Sequence, residues 1–256
     1  MTDSVIYHTD HRSFAFGSSV KLSRETLDRL IAIFEFQPSN SDDFFNDSMG
    51  QCNDQYTTDS DFNGEKQVLS GRGRVKSIHI PEAGNVIIKE YKRGGMISFF
   101  NKKTYVDFRG KIRSEKEFEM LLMAKKAGVD VPLPLAYVSR GNLFYRAWLI
   151  TKKINKCQNF AEIAVQNRKR AMKILPEISD SIKKLIKHRI YHVDLHPGNV
   201  LIDADDKNYI IDFDKALNFM GSKKKLSRLY RKRWARAVLK YDLPDFMSNL
   251  KIGDNK

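Results

Sequence analysis

Residues 191–214 read Y-H-V-D-L-H-P-G-N-V-L-I-D-A-D-D-K-N-Y-I-I-D-F-D, and the reading of this stretch decides the fold. Pro197 lacks a backbone donor and Gly198 loosens the chain, so the path from Asp194 to Asn199 is a tight loop and not a helix. Residues 200–202 and 209–211 are short apolar runs on either side of the polar segment 204–208, the pattern of a hairpin. Its second strand returns Asp212 towards Asn199. An acid in a loop, an amide shortly after it and a second acid across a hairpin suit phosphoryl transfer. Asp194 would accept the proton of an acceptor hydroxyl. Asn199 and Asp212 would supply oxygen ligands to Mg²⁺ on nucleotide phosphates.

An Asp and an Asn at this spacing occur in many ordinary hairpins with solvated acids. The combination is narrower: His192 before the acid, an apolar strand after the amide, and Asp212-Phe213 after a second apolar strand. It is similar to the core of the protein-kinase-like superfamily. Val193 stands where eukaryotic protein kinases carry Arg, and Asp214 where they carry the Gly of Asp-Phe-Gly. Those departures point to the small-molecule and bacterial kinases and away from a flipping metal-binding loop.

The upstream order fits the same plan. Gly71 and Gly73 lie between two β-like runs, where a glycine turn lets backbone N–H groups approach phosphate oxygens. Gly-x-Gly alone is a common turn, and its position is what gives it weight. A second turn at residues 81–85 leads into V-I-I-K-E-Y, whose Lys89 stands in the order expected of a phosphate-contacting lysine. Next comes R-S-E-K-E-F-E-M-L-L-M-A-K-K-A-G. Ser114 and Glu117 form a capping-box pattern, and Gly128 marks the helix end. Two readings compete for Glu117, a helix cap or the partner of Lys89, and the second is preferred over Glu115 or Glu119 in that role. Two further strands then complete a five-stranded sheet. Thr151 and Ile154 fall where an interlobe hinge would offer backbone groups to adenine.

The expected fold is therefore α+β: a two-lobed, kinase-like chain with a small β-rich N-lobe, one main helix in that lobe and a mostly helical C-lobe. Residues 1–36 form an N-terminal extension packed on the N-lobe, with a helix begun by Ser23 and Thr26. Residues 37–66 form an acidic surface insert, 67–150 the N-lobe, 151–156 the hinge and 157–256 the C-lobe. A long helix over 168–188 is kinked or restarted at Pro176.

Composition narrows the classes. The 256 residues carry a formal net charge of +14, which favours a polyanionic partner: nucleic acid, an acidic membrane surface or a phosphorylated substrate. No apolar run approaches the roughly 20 residues of a membrane span. Residues 1–10 lack the pattern of a signal peptide. Cys52 and Cys157 lack metal-ligand spacing, which suits a reducing compartment. After Gly221 the sequence K-K-K-L-S-R-L-Y-R-K-R-W-A-R-A-V-L-K-Y puts Leu226, Leu229, Tyr230, Trp234, Ala237, Val238 and Tyr241 on one helical face and basic residues elsewhere. That helix packs on the second lobe, holds its basic face against an anionic membrane or substrate phosphates, or does both. In the membrane case Trp234 and Tyr241 would reach the headgroup boundary if their face is not buried in the lobe. The 213–256 remainder is expected to be too short for a peptide-binding helical subdomain, so a non-protein acceptor is expected.

With these residues in place, the chain resembles the 3-deoxy-D-manno-octulosonic acid (Kdo) kinase family of lipopolysaccharide biosynthesis, over about residues 71–234. K-E-Y-K-R-G-G-M with Tyr105 downstream, A-G-V-D-V-P-L-P, Y-H-V-D-L-H-P-G-N and I-I-D-F-D-K carry the likeness. The resemblance implies ATP and Mg²⁺ as cofactors and Kdo-lipid A as the glycolipid acceptor, phosphorylated on the Kdo 4-hydroxyl. It also implies peripheral attachment to the cytoplasmic side of the anionic inner-membrane surface, with no nucleic acid partner. Heptose kinases share this core and are the nearest alternative. A basic nucleic-acid-binding module is the non-enzymatic one.

Overall fold

Two hydrophobic clusters organise the protein, one behind a sheet and one running from its front into a helical lobe. The computed structural model describes residues 5–9, 14–20, 23–35, 61–62, 65–66, 75–80, 83–91, 112–140 and 146–252. The elements of the sheet half are β1 (Val5–Thr9), β2 (Phe14–Ser18), α1 (Arg24–Glu35), the short strands β3 (Asp61–Phe62) and β4 (Glu65–Lys66), β5 (Val75–Ile80), β6 (Gly84–Tyr91), α2 (Arg113–Lys126), β7 (Pro134–Arg140) and β8 (Arg146–Lys152). The helical half follows with β9 (Gln158–Asn159), α3 (Phe160–Gln166), α4 (Arg168–Lys187), β10 (Ile190–Tyr191), β11 (Val200–Ile202), β12 (Asn208–Ile210), β13 (Leu217–Asn218) and α5 (Lys223–Lys240).

Among the described residues the main sheet has six antiparallel strands, not the five expected, in the order β1-β2-β7-β8-β6-β5. The N-terminal segment supplies its first two strands as well as α1. Ser23 accepts a hydrogen bond from the Thr26 N–H (3.2 Å), as a helix-starting residue should. Leu30 and Phe34 of α1 are fully buried against the back of the sheet, where Phe34 stacks on Trp148 at 4.5 Å.

Strand periodicity then sorts the residues of β6. Val86 and Ile88 face α1, together with Trp148 and Ile150 of β8. Lys89 and Tyr91, of the opposite parity, face α2. Glu90 turns to the back with Val86 and Ile88, where Arg146 donates to it (2.6 Å). Lys89 therefore reaches the cleft because strand geometry leaves it no other side. The turn into β6 has Gly84 at φ +72°, a left-handed conformation that glycine adopts at little cost.

Helix α2 packs on β7 and β8 through Phe118, Leu121 and Ala124. It ends as its sequence indicates. Gly128 has φ +76°, its N–H bonds the Lys125 carbonyl (3.0 Å), and the Val129 N–H bonds the Ala124 carbonyl (3.0 Å). Its start is different. Ile112 is the N-cap residue and no side chain caps the helix, while Ser114 is buried inside it. The capping-box reading is thus corrected: Ser114 lies two residues past the N-cap position, too far into the helix for its hydroxyl to meet the orphan N–H groups.

In the helical half, α4 is a 20-residue helix with Pro176 inside it, begun by the Asn167 side chain accepting from the Arg170 N–H (3.0 Å). Helix α5 buries Leu226, Tyr230, Trp234, Ala237 and Val238. Trp234 is 1% exposed and its indole donates to the Met247 carbonyl (2.8 Å). The condition for Trp234 to reach a headgroup boundary is therefore not met, because its ring is buried and its polar atom is satisfied within the lobe. Among the described residues, no helix is long and apolar enough to cross a membrane.

Candidate active site

The hairpin that anchors the site forms as its sequence suggests. β11 and β12 pair with Val200 opposite Ile210 and Ile202 opposite Asn208. Asp203 shapes the turn: its carboxylate accepts from the N–H groups of Asp205 (3.0 Å) and Lys207 (2.9 Å) and from the Tyr209 hydroxyl (3.1 Å). One bond beyond the last pair, the Ile211 N–H donates to the Asn199 carbonyl (3.0 Å), which brings the residue before Asp212 against Asn199. Asp212 itself has φ +64°, a conformation tolerated by Asp better than by most residues.

His192 ties the two acidic loops together. Its Nε2–H donates to the Ile211 carbonyl (2.8 Å), and its ring meets Phe213 edge-on at 4.7 Å. Burial pushes its pKa below the ordinary histidine value. The same residue is held from behind by α5. Its N–H donates to the Tyr230 hydroxyl (2.8 Å), which donates in turn to the Ile190 carbonyl (2.8 Å). Nothing in the sequence singled out Tyr230 for this task beyond its place on the apolar face. Asn159, which the sequence reading also passed over, caps α3 and donates to the Gly198 carbonyl (3.0 Å).

Within the loop, residues 197–199 form a single 3₁₀ turn. The Asn199 side-chain amide donates to the Asp194 carbonyl (3.1 Å), so its oxygen is left to face elsewhere. The Asp194 carboxylate accepts from Lys215 Nζ (2.6 Å), with Arg233 of α5 at 3.9 Å. Gly198 is required by close approach: a Cβ there would stand 2.8 Å from the His196 ring. His196 accepts from the Gly198 N–H (3.0 Å) and its pKa is lowered to about 4, by burial first and then by the Arg233 charge.

Across the cleft, Lys89 joins the sheet, α2 and the hairpin. Its Nζ lies 3.0 Å from Glu117 Oε2, 3.2 Å from Glu117 Oε1 and 2.5 Å from Asp212 Oδ1. Glu117 therefore partners the lysine and does not cap its helix. The Tyr91 hydroxyl donates to the same Glu117 carboxylate. Burial alone would lower the Lys89 pKa, but Glu117 and Asp212 more than reverse it and hold the lysine charged. Burial would raise that of Asp212, and Lys89 outweighs it, so the carboxylate is held below its usual range. Glu117 is 2% exposed, and its burial pushes its own value up.

Of the remaining sequence-derived positions, those within the described residues are not drawn into this group. Gly71 and Gly73 lie outside the described residues. Thr151 is half-buried within β8, opposite Ile87 on one side and Pro134 on the other. Ile154 follows the strand, and its carbonyl accepts from the Cys157 thiol (3.4 Å). The donors at Asn199 and Asp212 are an amide oxygen and a carboxylate, hard ligands of the kind Mg²⁺ takes when phosphates and water complete its shell.

A two-lobed α+β frame, with a lysine–glutamate pair in the sheet lobe facing an Asp-Asn loop and a second Asp, defines a kinase-like protein. The model of the lipopolysaccharide kinase (Kdo/WaaP) family matches residues 64–249, and the chain belongs to that family. It is 33% identical over 164 residues to the 3-deoxy-D-manno-octulosonic acid kinase of Vibrio vulnificus strain CMCP6, covering 63% of this chain and 69% of that protein. The protein of the same name from Vibrio cholerae serotype O1 is 30% identical over 186 residues, covering 69% and 78%. Among solved structures, monomeric WbdD aligns with a TM-score of 0.43 at 23% identity, over 64% of this chain and 36% of that one.

The His196 environment makes stability depend on pH. The unfolded imidazole titrates near 6.5 and the folded one near 4, so between those values the unfolded chain binds more protons. The contribution is fully present above pH 6.5 and is lost as pH falls towards 4, and buried His192 acts in the same direction. Urea midpoints measured at pH 7 and pH 5 are expected to show a loss of about 2 kcal/mol or less attributable to His196, absent in His196→Gln. An identical pH dependence in both proteins would contradict this.

Proposed function

We propose that this chain is an ATP-dependent sugar kinase that phosphorylates the 4-hydroxyl of a Kdo residue on Kdo-lipid A, in assembly of the lipopolysaccharide core. The observation that carries the proposal is the convergence of Lys89, Glu117 and Asp212 across from the Asp194–Asn199 loop. The sugar is supported by the name that the Vibrio relatives share.

In this reading Asp194 accepts the proton of the acceptor hydroxyl as phosphorus–oxygen bond formation proceeds. Lys215 keeps that carboxylate in place. Lys89 orients phosphate oxygens, and Glu117 fixes where Lys89 points. Asn199 and Asp212 would hold Mg²⁺, whose charge would offset that of the phosphates. The backbone around Thr151 and Ile154 is assigned to the adenine edge, and the Gly71–Gly73 turn to the phosphates. Mass spectrometry of Kdo-lipid A after incubation with protein and ATP is the test. Wild type is expected to add the mass of one phosphate, and Asp194→Ala is expected to add none while still binding nucleotide. An unchanged acceptor with wild type, or full conversion by Asp194→Ala, would overturn the proposal.

The acceptor's acyl chains lie in a bilayer, so the enzyme must work at its surface. We assign that contact, at the cytoplasmic face of the inner membrane, to the outer side of α5. Lys223, Lys224, Lys225, Arg228, Arg231, Lys232, Arg236 and Lys240 are exposed there, and Leu239 is 81% exposed among them. Anionic lipid attracts each such cation by about 1 kcal/mol. Charge reversal at Lys223, Lys224, Lys225, Arg228 and Arg231 is expected to abolish co-sedimentation with phosphatidylglycerol vesicles and to leave ATP binding intact. Equal sedimentation of the variant and wild type would remove the docking surface.

A further inference from the structure

The residues around the lysine pair contain a second, longer connection that the phosphoryl-transfer reading leaves unused. Arg113 is the first residue of α2 and Asp214 lies two residues beyond Asp212. Their side chains meet as a two-point fork. Arg113 Nε donates to Asp214 Oδ1 (2.7 Å), and Arg113 Nη2 donates to Asp214 Oδ2. Such a pair fixes orientation as well as distance, because both groups are planar. The Asp214 side chain is only 12% exposed, so water competes little for it.

Three details give the pair its meaning. Helix α2 has no side-chain cap of its own, so its first turn is held by a group distant in sequence. Arg113 and Glu117 are four residues apart and share one helical face, so fixing the first fixes the azimuth of the second. Tyr91 fills the space between them. The Arg113 guanidinium lies 5.4 Å from the centre of its ring and Lys89 Nζ lies 5.2 Å from it, while its hydroxyl donates to Glu117. One chain of contacts thus runs Asp214–Arg113–Tyr91–Glu117–Lys89–Asp212 and returns to within two residues of where it began.

We propose that Arg113 and Asp214, with Tyr91 wedged between the two ion pairs, are positioning residues that clasp α2 to the Asp212 loop and so hold Glu117 on Lys89 as a built-in state of the fold. Asp214 does this from the position where protein kinases carry a glycine, which has no side chain to offer. The catalytic part of this inference rests on the kinase reading above; the clasp itself does not.

The test uses the full chain with Arg113→Gln, Asp214→Asn and Arg113→Lys, and has two arms. In hydrogen exchange followed by mass spectrometry, without nucleotide, the first two variants are expected to exchange faster in α2 and in residues 211–216 and nowhere else. Thermal midpoints should fall only modestly, more for Arg113→Gln, which leaves the little-exposed Asp214 without its partner, than for Asp214→Asn. In steady-state kinetics, kcat/KM for ATP is expected to fall by about tenfold to a hundredfold, because small misplacement of a positioned group is costly. KM for the acceptor should hold, and Arg113→Lys should fall between, since it keeps the charge and loses the fork. Unchanged exchange in α2, or a general loss of thermal stability with exchange rising everywhere, would overturn the clasp. If wild type itself fails to phosphorylate Kdo-lipid A, the functional reading fails and the exchange arm still decides the clasp.

Discussion

A half-buried ammonium group placed between two carboxylates ties the sheet, its helix and the hairpin of the other lobe together. Lys89 comes from the sheet, Glu117 from the helix packed on that sheet, and Asp212 from a hairpin in the other lobe. Glu117, which is 2% exposed, would be an expensive charge to bury alone. Together they satisfy one another, and removing any one leaves a charge without its partner. The sheet must present odd-numbered residues of β6 to the cleft, α2 must show Glu117 to it, and the β11–β12 hairpin must return its second strand beside Asn199. Much of the fold can be understood as meeting those demands.

The helical lobe does for Asp194 what the sheet does for Lys89. Tyr230 of α5 supports the start of the loop, Asn159 its turn, and His192 bonds it to the strand leading to Asp212. Helix α5 therefore has two jobs on opposite faces. Its buried side braces the loop through Tyr230 and anchors itself through Trp234, while its outer side carries the basic charge proposed to meet a membrane.

The hairpin and its acids were legible in the sequence because their signals are local: Pro-Gly in a loop, short apolar runs and turn residues between them. Lys89 was legible from order along the chain, and strand parity then accounts for its direction. Glu117 was only half legible, since a Ser followed three residues later by Glu reads equally as a cap. The structure separates the readings because the helix begins at Arg113 and buries Ser114. The N-terminal strands were missed because their partner, β7, is remote in sequence, and only tertiary pairing makes them strands. Arg113, Tyr91, Asp214 and Tyr230 were present in quoted motifs or faces, but nothing local says that they meet. Their roles arise from contacts between elements, which residue type and spacing do not encode.

The central claim is that the group around Lys89 and Asp212 is a site for Mg²⁺ and nucleotide phosphates. Calorimetric titration of ATP, with Mg²⁺ and with chelator, into wild type and Asp212→Asn tests it most directly. The account predicts that Mg²⁺ strengthens ATP binding to wild type and that this gain is largely lost in Asp212→Asn. Equal affinity and equal Mg²⁺ dependence in the two proteins would contradict it.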